Sequence, residues 1–175
     1  LFSLDLPWHI YRKQMDKAMH DLDKQYHAHI PAQASLNVYE NLLVKKIGQV
    51  AREKRLAVSA EFESQYLLGY QKNHDLINFI RQRHQDFQGL FIWSSNIRQT
   101  IESILNENNL YQYFRLVVAK DDVNFTKPDP EGFEEFIFQP QSERSDYLMI
   151  GNSRNDQEAA ANAGIEFWLV DHIWV

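Results

Sequence analysis

The chain has 175 residues, of which 44% are apolar and 24% charged, with a formal net charge of −6. That length holds one substantial core, or a core with a small helical appendage, and the ordinary composition excludes a disordered or fibrous protein. Eighteen Lys and Arg scattered through a net-acidic chain give no footprint for a nucleic-acid backbone, and the lack of cysteine excludes disulfides, thiolate metal sites and cysteine nucleophiles.

Absence of cysteine fits a reducing compartment, so a cytoplasmic location is expected. Apolar runs such as Leu90–Trp93 are far shorter than a membrane span, and the N-terminus lacks a basic segment followed by an apolar one. No membrane association is expected. The sequence starts at Leu1 rather than Met, so processing or further upstream residues are expected.

In chain order, the first element is the short apolar segment ending at Leu4-Asp5. Residues 10 to 84 then read as helical. Ile10, Met15, Met19 and Leu22 mark one helix, and Pro31 separates it from a second. The second presents Val38, Leu42, Leu43, Ile47 and Val50 on one face, with Asn37 and Glu40 spaced as a capping box. Ser59 is a candidate cap for a third helix, and Leu76, Phe79 and Ile80 mark a fourth. The pattern predicts an antiparallel helical bundle. His20, His27 and His29 lie in it without the spacing of a zinc helix, so they read as surface histidines.

Beyond Gln88 the period changes. Short apolar runs at Leu90–Trp93, Leu116–Ala119, Tyr147–Ile150 and Phe167–Val170 alternate with helical stretches, which predicts a parallel sheet. Ile97, Ile101, Ile104 and Leu105 form a helical face stopped by Asn108 and Asn109. Pro128 and Pro130 start another helix through Phe133, Phe136 and Ile137, and the aromatics there, Phe138 included, read as packing.

Candidate chemistry collects at the strand ends: Leu4-Asp5, Ser94-Ser95-Asn96, Thr126-Lys127-Pro128-Asp129-Pro130 and Gly151-Asn152-Ser153-Arg154-Asn155-Asp156. In this order and context they resemble the haloacid dehalogenase (HAD) superfamily, most closely its phosphoglycolate-phosphatase-like branch. The resemblance implies an α/β fold: a Rossmann-like parallel-sheet core (residues 1–9 and 88–175) with an inserted all-helical, four-helix-bundle cap (residues 10–87). It implies a Mg²⁺-dependent phosphatase of small phosphorylated metabolites.

By that resemblance Ser94 holds the phosphoryl group, a role its hydroxyl suits beside the N–H groups of Ser95 and Asn96 at a helix start. Lys127 matches the family lysine that neutralises phosphoryl charge. Asp156 matches the second carboxylate of the last motif, while Asn152 stands where the metal-binding first carboxylate would be. An amide oxygen brings no negative charge to Mg²⁺, so a weakened metal site at Asn152 and Asp156 is expected.

The first motif has two registers. One puts Ser3 at the nucleophile position and Asp5 at the acid/base; the other makes Asp5 the nucleophile and leaves Pro7 at the acid/base, where it transfers no proton. In the first register both direct metal carboxylates of the family are neutral here, Ser3 and Asn152, which compromises metal and covalent intermediate together. The alternative to a phosphatase is therefore a non-catalytic HAD-fold protein that binds a phosphorylated ligand or a protein partner. Dehalogenase chemistry would need the same nucleophile.

Overall fold

A computed structural model describes residues 1–24 and 35–170. His27, His29 and Pro31 lie outside the described residues. In chain order the elements are β1 (Phe2–Leu4), α1 (Trp8–Leu22), α2 (Leu36–Ile47), α3 (Gln49–Tyr66), β2 (Tyr70–Lys72), α4 (His74–Arg83), β3 (Phe91–Trp93), α5 (Arg98–Glu107), β4 (Leu116–Val118), β5 (Leu148–Gly151), α6 (Arg154–Ala163) and β6 (Glu166–Leu169).

The four apolar runs of the second half are the four strands β3 to β6, shifted by a residue or less at most ends. They pair in parallel, β3 with β4 in the register Ile92 to Val117 and β5 with β6 in the register Ile150 to Trp168. Parallel strands are buried on both faces, and β4 follows that rule. Val117 faces a cluster containing Ile77, Ile101, Leu105 and Leu110, whereas its neighbour Val118 faces a second cluster with Val123, Phe133, Ile137 and Ala163. The helix between β3 and β4 ends as its asparagines foretell. Asn108 is the C-cap of α5, and Asn109 takes a left-handed φ of 53°, a conformation Asn tolerates better than most residues. The segment after Pro130 is a single π-helical turn, Phe133–Ile137, with Phe133 packed on Phe138 and Tyr147 and Phe136 left exposed.

In the first half α1, α2 and α3 pack around Tyr11, Met15, Met19, Leu43, Val44, Ala51 and Phe62. Two starts differ from the sequence expectation. Ser35, not Asn37, is the N-cap of α2, and Ser59 lies buried inside α3, which begins after Gly48 at a φ of 78°. The expected apolar stripe of α2 faces inward only in part, through Leu43 and Ile47, and Val50 falls in α3. Glu40 and Asn41 are buried beside Leu43 and Val44, while Leu42 and Val50 are exposed. Asn41 covers the Thr126 backbone, whose groups must be satisfied when buried, and Glu40 accepts from the Tyr11 hydroxyl of α1.

Beyond α3 the chain makes β2, an element absent from the sequence expectation, which pairs antiparallel with β1. Ile77 of α4 then packs with Ile101, Leu105 and Val117 rather than with α1 to α3.

Candidate phosphate-binding site

The turn after β5 is built around one carboxylate. Ser153 is the N-cap of α6: its hydroxyl accepts from the Asp156 N–H, and the Asp156 side chain accepts in return from the Ser153 N–H at 3.1 Å. Asp156 Oδ2 also accepts from the Ser153 hydroxyl at 2.7 Å and from the Asn152 N–H at 3.3 Å. A Cβ on Gly151 would sit 2.6 Å from the Asp156 Cβ, so only glycine lets the strand end close over this side chain.

The other oxygen, Oδ1, accepts from Lys127 Nζ at 2.5 Å, and both side chains are almost wholly buried. Lys127 also donates to the Trp93 carbonyl at 2.7 Å, joining the end of β3 to the turn after β5. Burial by itself would raise the Asp156 pKa. The Lys127 charge and hydrogen bond, together with the bonds from Ser153, outweigh it and hold the carboxyl below its usual range. The peptide bond between Lys127 and Pro128 is cis.

Ser94 follows β3, its N–H donating to the Val118 carbonyl at 2.8 Å and its hydroxyl accepting from the Asn96 N–H at 3.2 Å. Ser95 and Asn96 lead into α5, whose N-cap is Ile97. Ser94, Ser95 and Asn96 are half-buried. Hydroxyls, N–H groups and an ammonium thus gather where β3 and β5 end, the usual ligand position of open α/β sheets.

Ser3 and Asp5 lie on β1 and just beyond it. Ser3 sits mid-strand in β1 opposite Gln71, and the exposed Asp5 follows β1, its N–H donating to the Gly69 carbonyl at 3.0 Å. Among the described residues no hydrogen bond or ion pair joins the side chain of Ser3 or Asp5 to Lys127 or Asp156.

These residues do not fit a magnesium ion, which takes hard anionic oxygens in near-octahedral array. Both Asp156 oxygens are taken up by protein donors, and Asn152 and Ser3 are neutral. No cluster of three His, Asp or Glu suited to a metal occurs among the described residues.

Several functional-looking residues escaped the sequence reading. Asn37, expected to cap, instead donates from Nδ2 to the Lys127 carbonyl at 2.8 Å and to Ser95 Oγ at 3.3 Å. Asn41 pairs with both backbone groups of Thr126, donating at 2.7 Å and accepting at 2.9 Å. Lys120 is buried with its Nζ 2.8 Å from Tyr11 Oη, 3.2 Å from Ser59 Oγ and 3.6 Å from Glu40. Burial opposes its charge, but Glu40 and Tyr11 prevail and its pKa is raised; the Tyr11 phenol, buried beside Glu40, is pushed up to about 12. The signal available was the spacing of Asn37, Asn41 and Lys45, a polar stripe four residues apart.

Fold and site together define an α/β core with a helical insert and hydrogen-bond donors gathered at its strand ends. The family model for haloacid dehalogenase-like hydrolases matches residues 6–170, and the chain belongs to that family. Among curated relatives, a pyrophosphatase (PpaX) from Listeria monocytogenes is 33% identical over 84 residues, a stretch that is 48% of this chain and 39% of that enzyme. The chain thus matches well under half the length of that relative. Among solved structures, a predicted phosphoglycolate phosphatase from Haemophilus somnus aligns over 89% of this chain and 76% of its own, at 14% identity and a TM-score of 0.56. A HAD-superfamily hydrolase from Ehrlichia chaffeensis aligns over 90% and 81%, at 20% identity and a TM-score of 0.52. At such identities these two establish the likeness of fold alone. No helix among the described residues is long and apolar enough to cross a membrane.

Proposed function

We propose that this chain binds the phosphoryl group of a small phosphorylated molecule in a phosphohydrolase-type site whose hydrolytic step is impaired. Ser94 and Ser95 would donate hydroxyls, Asn96 its backbone N–H, and Lys127 its ammonium. The single observation carrying the proposal is the buried Lys127–Asp156 pair at 2.5 Å beside Ser94, with no carboxylate nucleophile bonded to either partner among the described residues. Lys127 supplies charge to the phosphoryl oxygens, and the hydroxyls and N–H groups orient them. Covalent phosphoryl transfer would also need an anionic nucleophile in line with the phosphorus and a cation on its oxygens. Ser3 and Asn152 bring neither. The names of the relatives, a pyrophosphatase and a phosphoglycolate phosphatase, favour a small phosphorylated ligand over a macromolecular one.

A second reading is a working phosphatase of small phosphorylated metabolites that uses Asp5 with Mg²⁺, the cation on which this family's hydrolysis generally relies. Family membership and the position of Asp5 just beyond β1 favour it. The two separate by measuring orthophosphate binding and the hydrolysis of p-nitrophenyl phosphate with Mg²⁺. The proposal expects saturable phosphate binding, weakened about tenfold by Lys127→Met through loss of a charge-assisted contact. It also expects no turnover above background. Robust Mg²⁺-dependent turnover that disappears in Asp5→Asn would establish the second reading instead.

A further inference from the structure

We infer that α2 positions the active-site lysine: Asn37 and Asn41, with Lys45, form a polar stripe that grips residues 126–129 and sets where the Lys127 ammonium lies. The inference rests on the phosphoryl-binding reading of Ser94 and Lys127 and deepens it, because it makes the seating of the helical insert and the preparation of the anion pocket one event.

Residues four apart on a helix share a face. Asn37, Asn41 and Lys45 use that face on one short loop. Lys45 Nζ lies 3.3 Å from Asp129 Oδ2. Asn41 makes a two-point contact with Thr126, carbonyl and N–H both, as a neighbouring strand would, and this fixes the plane of the peptide immediately before Lys127. Arg55 Nη1 reaches the same Asn41 Oδ1 at 3.5 Å and donates to the Asn124 carbonyl at 3.1 Å, so the amide is itself braced. Asn37 bonds the carbonyl of Lys127 and, from the same nitrogen, the hydroxyl of Ser95 in the phosphate cradle.

Lys127 is thereby held at both ends. Its backbone is fixed by α2 and its ammonium by Trp93 and Asp156 on the core. A lysine side chain has four rotatable bonds, and anchoring only the head would leave the loop beneath it free to shift. An amide is the side chain that suits Thr126, since it offers a donor to the carbonyl and an acceptor to the N–H at once. A carboxylate at position 41 would present two acceptors and repel that carbonyl. Asn41 touches neither phosphate nor Lys127 Nζ, so it is a positioning residue.

The test labels lysines of the whole chain with an amine-acylating reagent, reads each site by mass spectrometry, and measures orthophosphate binding alongside. Asn41→Asp should raise the labelling rate of Lys127 about tenfold and lower phosphate affinity by a similar factor, leaving the buried Lys120 as slow as in the parent. Asn37→Ala should do the same to a smaller degree, and it serves if Asn41→Asp does not fold. Arg52→Met is the control: it removes bonds from α3 to the Val123 and Asp121 carbonyls without touching residues 126–129. Parent-like labelling of Lys127 in both asparagine variants would overturn the inference. So would an equal rise in Arg52→Met, because α2 would then act only as general packing. If the parent binds no orthophosphate the phosphoryl-binding reading fails, while the labelling rates still decide for or against positioning.

Discussion

At the scale of single residues, Asp156 is the hinge of the site, since it accepts from Lys127, Ser153 and the Asn152 backbone at once. Removing one member of a buried pair leaves the other uncompensated, so Asp156→Asn should cost about 3 kcal/mol of stability in urea unfolding. The pH dependence follows from its lowered pKa. A carboxyl whose folded pKa lies below the unfolded one contributes stability that is complete above the unfolded value and is lost as pH falls through the folded value. Wild type should therefore lose more stability than Asp156→Asn on acidification below about pH 4. Parallel curves for the two proteins would show that the pair is not ionised as described. Gly151→Ala tests the same side chain from its other side. The added methyl would meet Asp156 Cβ at 2.6 Å and its Cγ at 2.9 Å, so the carboxylate must move. A loss of about 1–3 kcal/mol is expected, together with weaker orthophosphate binding. An alanine variant as stable and as tight as the parent would mean that the turn relaxes without disturbing Asp156.

At the scale of elements, α1, α2 and α3 meet the core through a seam of polar groups as well as through apolar packing of Leu4 and Phe125. Glu40 of α2, Tyr11 of α1 and Ser59 of α3 converge on Lys120, just beyond β4. Glu40 Oε2 has no hydrogen-bond partner among the described residues, and its charge is balanced by Lys120 at 3.6 Å and by the buried Arg55 guanidinium. Lys120→Met should therefore cost about 3–5 kcal/mol, while adding Glu40→Leu should recover a large part of it by removing the orphaned charge. A double variant as unstable as the sum of the singles would show the pair to be uncoupled. This seam was the least legible part of the chain. Strands β3 to β6 and the ends of α5 could be read directly, because a run of apolar residues or an Asn-Asn stop depends on local chemistry. Ser94, Lys127 and Asp156 were picked out through the resemblance of their motifs, on those same strand ends, to a known family. Asn37 and Ser59 were read as caps because a polar residue in a helical pattern has a local use. Their partners, Lys127 and Lys120, are 90 and 61 residues away, and no local pattern records such a contact. Strand β2 was missed for the same reason, since Tyr70, Gln71 and Lys72 show no apolar alternation and are held in a strand only by pairing with β1.

At the scale of the whole molecule, the polar seam holds a buried carboxyl, Glu63, through which the seating of the insert is expected to respond to pH. It reaches from α3 to the N-terminus of α5, where both its oxygens lie 3.1–3.2 Å from the Ile97 N–H, next to the Ser94-Ser95-Asn96 turn. A carboxylate there gains from the positive end of the helix, but it is buried. Burial is the larger influence and raises its pKa, against the opposing effects of Thr100, Lys120 and the Ile97 N–H. A carboxyl whose folded pKa is raised contributes stability that is complete below the unfolded pKa and is lost as pH rises through the folded value. At neutral pH Glu63 is thus a burden on the closed arrangement, and an amide of the same shape would keep an oxygen for Ile97 without the charge. Glu63→Gln should match wild type at about pH 4, where both side chains are neutral, and exceed it at about pH 8 by a margin visible in the urea midpoint. Phosphate should also bind Glu63→Gln more tightly at the higher pH, because the anion no longer shares the start of α5 with a second negative charge. A midpoint difference that stays constant across that range would mean that Glu63 ionises in the folded protein as freely as in the unfolded chain, and the insert would then owe none of its pH response to this contact.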